Sequence, residues 1–340
     1  DADGKVHALH VTVHANMGSW LSNFSTGIPT VLGSRTLTTV YAIPTASLRV
    51  LGVVTNTPAV DAYRGAGRPE ANYVMERLMD MLADKMGIDR VEIRRRNMIT
   101  SDQMPFSMVC GGTIDDGEIP ELMDAALGYA DHNGFKARKA DSESRGMLRG
   151  FGLGMYLEQC GGGGDGGVKV SFRDDGTILV LAAQQENGQG HRTTLTQILS
   201  DRLGYDADKI EIFQGDSAIT PYGQTGGARM TAVLGSTVAE VAARTLDKAR
   251  PHAAEALDCN LDDLVFIDGI FSAQGTNRSI TIEDLVLRLV PESGDHPFNI
   301  NHRYEPNGPT YPYGCHIAEL EIDPATCAVN LQRYTVVDDF

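Results

Sequence analysis

Two arginines stand among small residues immediately before a predicted helix, in the stretch "DAYRGAGRPEA" at residues 61–71. The guanidinium groups of Arg64 and Arg68 can each form two parallel hydrogen bonds with a phosphate or a carboxylate. Glycine lets the backbone come close to a bulky anion, and the free N–H groups at a helix start carry partial positive charge. The stretch therefore predicts an anion-binding loop. The alternative is that both arginines pair with neighbouring acids such as Glu70 or Glu76.

A second loop of small residues, "ENGQGHRTTL" at residues 186–195, also lies between a predicted strand and a predicted helix. Gln189, between Gly188 and Gly190, carries an amide that can donate to a ligand oxygen and accept from an N–H group. A helix start of this kind attracts an anion by up to about 2 kcal/mol where the site is partly buried. The loop predicts a second anion contact, although an ordinary tight turn fits the same residues.

A third loop, "GQTGGARMT" at residues 223–231, precedes the longest predicted helix. Thr225 and Thr231 supply hydroxyl groups, and Arg229 supplies another guanidinium suited to phosphate. Neither a GxxxxGK[ST] motif nor a strand–GxGxxG–helix unit occurs, so a nicotinamide-dependent dehydrogenase is disfavoured. The glycine run at residues 161–167 fits either a ligand-facing loop or a surface connection.

The elements that must position these loops alternate between strands and helices. Alternating apolar residues predict strands at 5–18 and 48–56, and helical spacing after Pro69 predicts a helix that Gly87 ends. The same patterns predict a helix with Asp89 as its N-cap, a long helix interrupted at Pro251 and a strand hairpin at 315–339. Long antiparallel segments mixed with helices indicate an α+β fold with antiparallel or mixed sheets, rather than a doubly wound parallel sheet.

The chain is long enough for two domains. Its 340 residues exceed the usual size of one hydrophobic core. Residues 133–150 are charged and poor in apolar side chains, which predicts a hinge there and domains at 1–144 and 145–340. The first and last residues lie beside predicted strands, so we expect both ends to be cut from a longer chain.

The composition limits the classes of partner. A net charge of −16 argues against general binding to nucleic acids or anionic membranes, which requires basic surface. No run of about 18–20 apolar residues predicts a membrane span, and a cytoplasmic protein is expected. The five cysteines include no CxxC spacing and the nine histidines no HExxH pair. Reduced thiols are therefore expected, and no metal is expected to be held by side chains.

Five stretches, taken in their order along the chain, indicate a protein family far more specifically than any one loop does. They are "TNTPAVDAYRGAGRPEANYVMERLMD", "RVEIRRRNMI", "GQGHRTTLTQILSDRLG", "QGDSAITPYGQTGGARM" and "GCHIAELEIDPATCAVNLQRYTVVDDF". Together they resemble the molybdopterin-binding large subunit of the xanthine dehydrogenase, aldehyde oxidase and aerobic carbon-monoxide dehydrogenase family. The resemblance extends over about residues 1–340 and implies two partial molybdenum-cofactor-binding domains.

The resemblance assigns roles to residues of all three loops. It implies that Tyr63 and Ala66 shape a substrate pocket beside the molybdenum centre, and that the three loops serve a single cofactor. The cofactor-binding residues that it implies are Arg64, Gly65, Ala66, Gly188, Gln189, Gly190, His191, Thr225, Gly226, Gly227, Ala228, Arg229 and Thr231. Molybdenum itself would be held by the pterin.

By the same resemblance, the reaction is oxidative hydroxylation of an aldehyde or N-heteroaromatic compound, with oxygen taken from water. The implied cofactor is molybdopterin cytosine dinucleotide with molybdenum. Electrons would leave through iron–sulfur clusters and FAD on an iron–sulfur small subunit and an FAD-binding medium subunit. The implied assembly is a homodimer of heterotrimers acting on a small molecule.

The chain also departs from family patterns. Copper-containing carbon-monoxide dehydrogenases carry a cysteine in the loop that here reads Gly65, Ala66 and Gly67, and purine oxidases usually carry phenylalanine where Ala66 stands. Neither carbon monoxide oxidation nor purine specificity is therefore supported. The family's general-base glutamate belongs to a downstream segment, so no catalytic residue is assigned here and the isolated segment is expected to be inactive. The alternatives are a degenerate subunit acting as scaffold, or a carbon-monoxide-dehydrogenase-like protein of unknown substrate.

Overall fold

The computed structural model describes residues 1–161 and 166–340. The strands are β1 (Leu9–Gly18), β2 (Ala46–Val54), β3 (Phe106–Ser107), β4 (Thr113–Ile114), β5 (Leu148–Leu157), β6 (Gly166–Phe172), β7 (Ile178–Ala182), β8 (Ile210–Gln214), β9 (Leu264–Ile267), β10 (Ile270–Ala273), β11 (Ser279–Thr281), β12 (Ile300–Tyr304), β13 (Tyr313–Ile322) and β14 (Val329–Asp339). The α-helices are α1 (Arg68–Met86), α2 (Arg90–Asn97), α3 (Ile119–Tyr129), α4 (Phe135–Ser144), α5 (His191–Leu203), α6 (Ser236–Leu257) and α7 (Ile282–Arg288).

The chain forms two compact units. The first, the outer unit, contains Asp1–Gln159 and Tyr311–Phe340, and the second, the inserted unit, contains Cys160–Thr310. Helix α4 lies within the outer unit, where the sequence predicted a hinge. Its residues carry few apolar side chains because ion pairs, rather than a wide apolar stripe, hold it in place. The predicted domain boundary between residues 144 and 145 stays a prediction.

In the outer unit, β14, β13 and β5 form an antiparallel sheet, and β1 pairs with β2 in parallel. The predicted hairpin is confirmed, because β13 and β14 are joined by a turn over residues 324–326. Side chains from α1, α3, β5 and β13 share one buried cluster, which includes Met75, Met123, Met155 and Ile317. Burying each such side chain stabilises the fold by roughly 1.5–3 kcal/mol.

A fully buried arginine ties α2 to α1 in this unit. Arg94 donates from Nε to Glu76 at 2.8 Å and pairs with Asp80 at 2.9 Å. It also donates to the carbonyl of Leu153 on β5 at 3.2 Å, and Tyr41 donates to the other oxygen of Glu76 at 2.5 Å. A buried charge is tolerated only when it is paired and hydrogen-bonded, and this network meets that condition.

A second network fixes α4 on the sheet. Glu319 of β13, whose side chain is 1% exposed, accepts from Arg138 of α4 at 2.5 Å and from Arg149 of β5 at 2.7 Å. Burial alone would raise the pKa of Glu319, but the hydrogen bonds and charges of the two arginines outweigh it and lower the pKa below its ordinary value. Glu319 is therefore ionised in the folded chain.

The inserted unit is built on a mixed sheet in the order β12-β6-β7-β8, in which β7 and β8 run parallel and the other pairs antiparallel. Helix α5 connects the two parallel strands. It buries Leu195, Leu199 and Leu203, one residue per turn, against a core that α6 also lines. Of the predicted 161–167 glycine loop, residues 162–165 lie outside the described residues.

The observed sheets confirm the predicted α+β fold with antiparallel and mixed pairing. Two helix ends are also confirmed: Gly87 caps α1 with φ of 67°, and Asp89 accepts from Val91 N–H at 2.8 Å. The predicted interruption at Pro251 is wrong, because α6 continues through it. Proline removes one backbone hydrogen bond, and burial of residues such as Val241 and Ala253 on the same helix keeps α6 continuous.

Glu319→Gln is expected to lower the free energy of unfolding by about 2–4 kcal/mol near pH 7, because it removes the buried carboxylate that Arg138 and Arg149 share and leaves them only Asp131 and Glu321 as acidic partners. The contribution of Glu319 is fully present above the unfolded carboxyl pKa of about 4.3 and is lost as pH falls through the lower folded pKa. Urea unfolding should therefore show that the difference in free energy of unfolding between wild type and variant becomes smaller below about pH 4. Glu92→Gln, at an exposed ion pair with Arg96, should change stability by less than about 0.5 kcal/mol. A difference in free energy of unfolding between wild type and Glu319→Gln that stays constant from pH 7 to pH 3 would contradict the stabilising role of ionised Glu319.

Candidate functional site

The loop at residues 63–67 has an unusual backbone. Gly65, Ala66 and Gly67 follow one another with φ of 105°, 43° and 95°. The N–H of Ala66 donates to the carbonyl of Tyr63 at 2.8 Å, and the N–H of Arg68 donates to the carbonyl of Gly65 at 3.3 Å. A non-glycine residue with positive φ costs of order 1–3 kcal/mol and is found where surrounding contacts enforce it. The loop is thus held in one strained shape at the start of α1.

Close packing explains the two glycines. A Cβ on Gly67 would lie 2.4 Å from the carbonyl oxygen of Ile28 and 2.8 Å from the nitrogen of Gly33. A Cβ on Gly65 would lie 2.7 Å from Pro69 Cγ. These distances are shorter than carbon contacts allow, so both positions require glycine for space as well as for conformation.

The two arginines of this loop do different things. Arg68 is 7% exposed and pairs with Glu158 at 2.5 Å, whereas Glu76 pairs with Arg94. Arg68 therefore does pair with an acid, as the alternative expects, but the acid is Glu158, which is distant in sequence, rather than Glu70 or Glu76. Arg64 is exposed and has no hydrogen bond or ion pair to any residue that the structure describes.

Arg64 lies at a cavity of about 420 Å³ in the outer unit. The walls are mainly apolar and include Val11, Val13 and Met17 of β1 and Val74 of α1. The polar residues of the lining are Asn16, Ser25, Asp61, Tyr63, Arg64 and Glu70. Such a size and lining are typical of small-molecule sites. The structure thus places Tyr63, Arg64 and Ala66 around one cavity.

The second predicted loop opens α5. Gly188 and Gly190 have φ of 93° and 76°, and a Cβ on either would meet no described atom within 4 Å. Gly190 N–H donates to Glu186 at 2.9 Å, and Gln189 accepts from Asn187 N–H at 2.6 Å. The helix itself has no side-chain cap and no acidic residue in its first turn. Its first N–H groups are therefore available to an anion.

His191 is the first residue of α5 and is only 8% exposed. Its Nδ1 is buried and has no hydrogen-bond partner within the described part of the chain. Burial lowers the pKa of His191 and outweighs the nearby carboxylate of Glu186, so the ring is neutral near pH 7. A buried polar atom without a partner is uncommon and marks a place where a ligand or water belongs.

The third loop lies beside the second in the inserted unit. Thr225 donates to the carbonyl of Gln185 at 2.8 Å, which joins the two loops directly. Gly227 and Ala228 have φ of 66° and 52°, and Arg229 donates from Nε to the carbonyl of Gly226 at 2.7 Å. A π-helical turn, Met230–Gly235, then leads into α6. Thr231 is exposed at this turn.

Sequence reasoning did not find Glu158, the partner of Arg68, or the unpaired nitrogen of His191. Glu158 follows β5 and reaches Arg68 across 90 residues, a separation that local patterns do not reveal. Among residues 1–161 and 166–340, no three His, Cys, Asp or Glu side chains are placed to hold a metal ion. No helix in those residues is long and apolar enough to cross a membrane.

The motifs and geometry agree with comparisons to known proteins. Residues 125–340 and residues 1–98 each match the family described as Molybdopterin cofactor-binding domain. The chain belongs to this molybdopterin cofactor-binding family. The predicted resemblance to its molybdenum-binding large subunits is thereby confirmed.

Individual relatives agree with the family match. The chain is 32% identical to the carbon monoxide dehydrogenase large chain of Hydrogenophaga pseudoflava, over 99% of this chain and 45% of the relative. It is 29% identical to the nicotine 6-hydroxylase large subunit of Paenarthrobacter nicotinovorans, over 89% of this chain and 40% of the relative. The crystal structure of quinoline 2-oxidoreductase from Pseudomonas putida 86 matches with a TM-score of 0.87 at 25% identity, over 98% of this chain and 45% of that one. The chain thus spans less than half the length of these relatives.

Gly67→Ala is expected to lower the free energy of unfolding by about 3 kcal/mol or more, because strain at positive φ adds to a clash with backbone atoms. Gly87→Ala is the matched control at the other end of α1. Its φ is also positive, but an added Cβ meets no described atom within 4 Å, so only about 1 kcal/mol should be lost. Denaturant unfolding of both variants measures the difference. Equal losses would show that Gly67 is not closely packed.

Proposed function

We propose that this chain is the cofactor-binding portion of the large subunit of a molybdenum hydroxylase. The cofactor that we propose is molybdopterin cytosine dinucleotide. When bound, its molybdenum supplies Lewis-acid activation of water and accepts two electrons from the substrate. The residues of this chain bind the phosphates and pterin, orient the cofactor and shape the space for a small-molecule substrate.

The observation that carries the proposal is the free guanidinium of Arg64 at the edge of an apolar cavity. A cation that has no partner among the described residues, in a loop held in a strained shape, is ready to bind an anionic or electron-rich group. The apolar walls would strengthen the interaction once a ligand covers the exposed Arg64, because the local dielectric then falls. Arg64, Gly65 and Ala66 would contact the cofactor, and Tyr63 with Ala66 would border the substrate.

The inserted unit offers a complementary fit for phosphate. The uncapped start of α5 presents backbone N–H groups, and the space beside Gly188 and Gly190 is open. The unpartnered Nδ1 of His191 can hydrogen-bond to a pterin or phosphate oxygen when it carries the proton. Thr225, Gly226, Gly227, Ala228, Arg229 and Thr231 would form the neighbouring part of the cofactor site. These hydrogen-bond donors suit a phosphorylated pterin, and we propose that they bind it.

For the substrate, we favour an N-heteroaromatic compound or an aldehyde. A cavity of about 420 Å³ with apolar walls suits an organic molecule better than a diatomic gas. No cysteine stands between Tyr63 and Arg68, although the copper-dependent oxidation of carbon monoxide in this family requires one. Relatives include a nicotine hydroxylase and a quinoline oxidoreductase, which supports the heteroaromatic class.

The proposal includes the wider assembly. We propose an iron–sulfur small subunit and an FAD-binding medium subunit as electron carriers, arranged with the large subunit as a homodimer of heterotrimers. The two family domains would be divided near residues 144 and 145, which differs from the division into compact units. The general base would come from a part of the subunit outside this segment.

Arg64→Ala is expected to weaken cofactor retention at least about tenfold, because a hydrogen bond to a charged group contributes roughly 1.5–3 kcal/mol. Thermal stability of the cofactor-free protein should change by less than about 0.5 kcal/mol, since Arg64 has no partner to lose. Molybdenum analysis and release of the pterin nucleotide from purified holoenzyme measure retention. Arg77→Ala is the control, because Arg77 is exposed on α1 and does not line the cavity. Full molybdenum content and turnover in Arg64→Ala would contradict the proposal, and no cofactor in wild type would favour the scaffold alternative.

His191→Leu is expected to have opposite effects on the two forms of the protein. Without cofactor, removing a buried unpaired nitrogen should raise the free energy of unfolding by about 1 kcal/mol. With cofactor, retention of the pterin should fall. His296→Leu is the matched control, since His296 is buried in the same unit with both ring nitrogens hydrogen-bonded, and it should destabilise the cofactor-free protein. Destabilisation of both variants alike would show that His191 is an ordinary core residue.

A further inference from the structure

Arg68 directly follows the strained loop at residues 63–67, and its guanidinium donates to three different acceptors. Its Nε donates to Glu158 Oε1 at 2.5 Å, one terminal nitrogen donates to the carbonyl of Ala66 at 3.4 Å, and the other donates to the carbonyl of Gln159 at 3.3 Å. The side chain is 8% exposed. One guanidinium therefore links the loop, the strand end and a carboxylate, which only a planar fork can do.

Glu158 is itself held by the residue before β13 and by its own neighbour in sequence. Its backbone N–H donates to the carbonyl of Pro312 at 2.9 Å, and its Oε1 also accepts from the N–H of Gln159 at 2.7 Å. One turn after Arg68, Asn72 exchanges two hydrogen bonds with the backbone of Leu157. The start of α1 is thereby fixed to the end of β5 at two neighbouring points.

This arrangement separates the charges of the two arginines. Glu158 neutralises Arg68, so the charge that the loop offers to a ligand is that of Arg64. Ala66 lies between the two arginines in a left-handed conformation, and its carbonyl is held by Arg68. A strained residue persists only where contacts enforce it, and Arg68 supplies such a contact.

We propose that Arg68 and Glu158 are positioning residues, which hold the carbonyl of Ala66 and thereby fix the loop backbone from which the Arg64 side chain extends. The identity of the group being positioned rests on the proposed function. The positioning itself is a property of this chain and can be measured without cofactor.

The first test uses three variants of the cofactor-free protein: Arg68→Met, Arg68→Lys and the double variant Arg68→Met with Glu158→Gln. The single Met variant leaves a carboxylate unpaired and should be the least stable, whereas the double variant removes both charges and should regain much of that stability. Hydrogen exchange then reports on the loop. The amides of Ala66 and Arg68 should exchange at least about tenfold faster in the double variant, since the bond lost involves a charged group.

The amide of Ile88, which donates to Ala83 at the other end of α1, is the internal control and should keep its wild-type rate. Unchanged exchange at Ala66 and Arg68 in the double variant would overturn the proposal. Equal acceleration at all three amides would also overturn it, because it would show general destabilisation of the helix.

The second test uses the holoenzyme of Arg68→Lys. Lysine can pair with Glu158 but cannot also reach both carbonyls, so the ion pair is kept while the hold on the Ala66 carbonyl is lost. Reduction with dithionite should give an electron paramagnetic resonance signal of molybdenum that differs from wild type, with a lower kcat on any substrate found. A wild-type signal and kcat would overturn the positioning role. Failure of the proposed function would give a different pattern. Arg64→Ala would then retain the cofactor in full, while the amides of Ala66 and Arg68 would still exchange faster in the double variant.

Discussion

Helices α1 and α5 each begin immediately after a glycine with positive φ, and Ala228 adopts the same conformation two residues before the π-helical turn that leads into α6. Arg64 and His191, in or beside two of these loops, carry polar groups with no partner among the described residues. Ala66 and Ala228 adopt this conformation although they have side chains, and each costs about 1–3 kcal/mol. At the start of α1, Gly67 packs against backbone atoms too closely for any side chain. The shape of the loop before α1 is therefore set by steric and conformational constraint, whereas the loop before α5 has open space beside its glycines.

Electrostatics gives the same loops their selectivity. The chain has a net charge of −16, so its overall field does not attract anions. In the proposed function, local geometry does so instead, through the start of α5 at His191 and through Arg64, which has no partner among the described residues. Burying the second cation, Arg68, against Glu158 prevents two adjacent arginines from repelling each other while it fixes the loop between them.

The sequence predicted local features well because they depend on nearby residues. Asp89 as a helix cap, Gly87 as a helix end and the hairpin of β13 and β14 were all found from spacing and residue type. Contacts between distant residues were missed, including Arg68 with Glu158 and Arg138 with Glu319. The sequence likewise does not reveal that the charged residues Arg138 and Arg145 pair with Glu319 and Glu321 of β13; the domain boundary placed there stays a prediction. The roles of the site residues came from the family resemblance, and their chemistry stays a prediction.

The central claim is that the loop at residues 63–67 faces the metal end of a molybdopterin. A diffraction experiment at the molybdenum absorption edge, on crystals of the holoenzyme, tests this most directly. The account predicts an anomalous peak beside this loop, with the Arg64 side chain directed toward the cofactor and Arg68 still paired with Glu158. A molybdenum peak remote from residues 63–67, or an Arg64 side chain turned into solvent in the loaded enzyme, would contradict it.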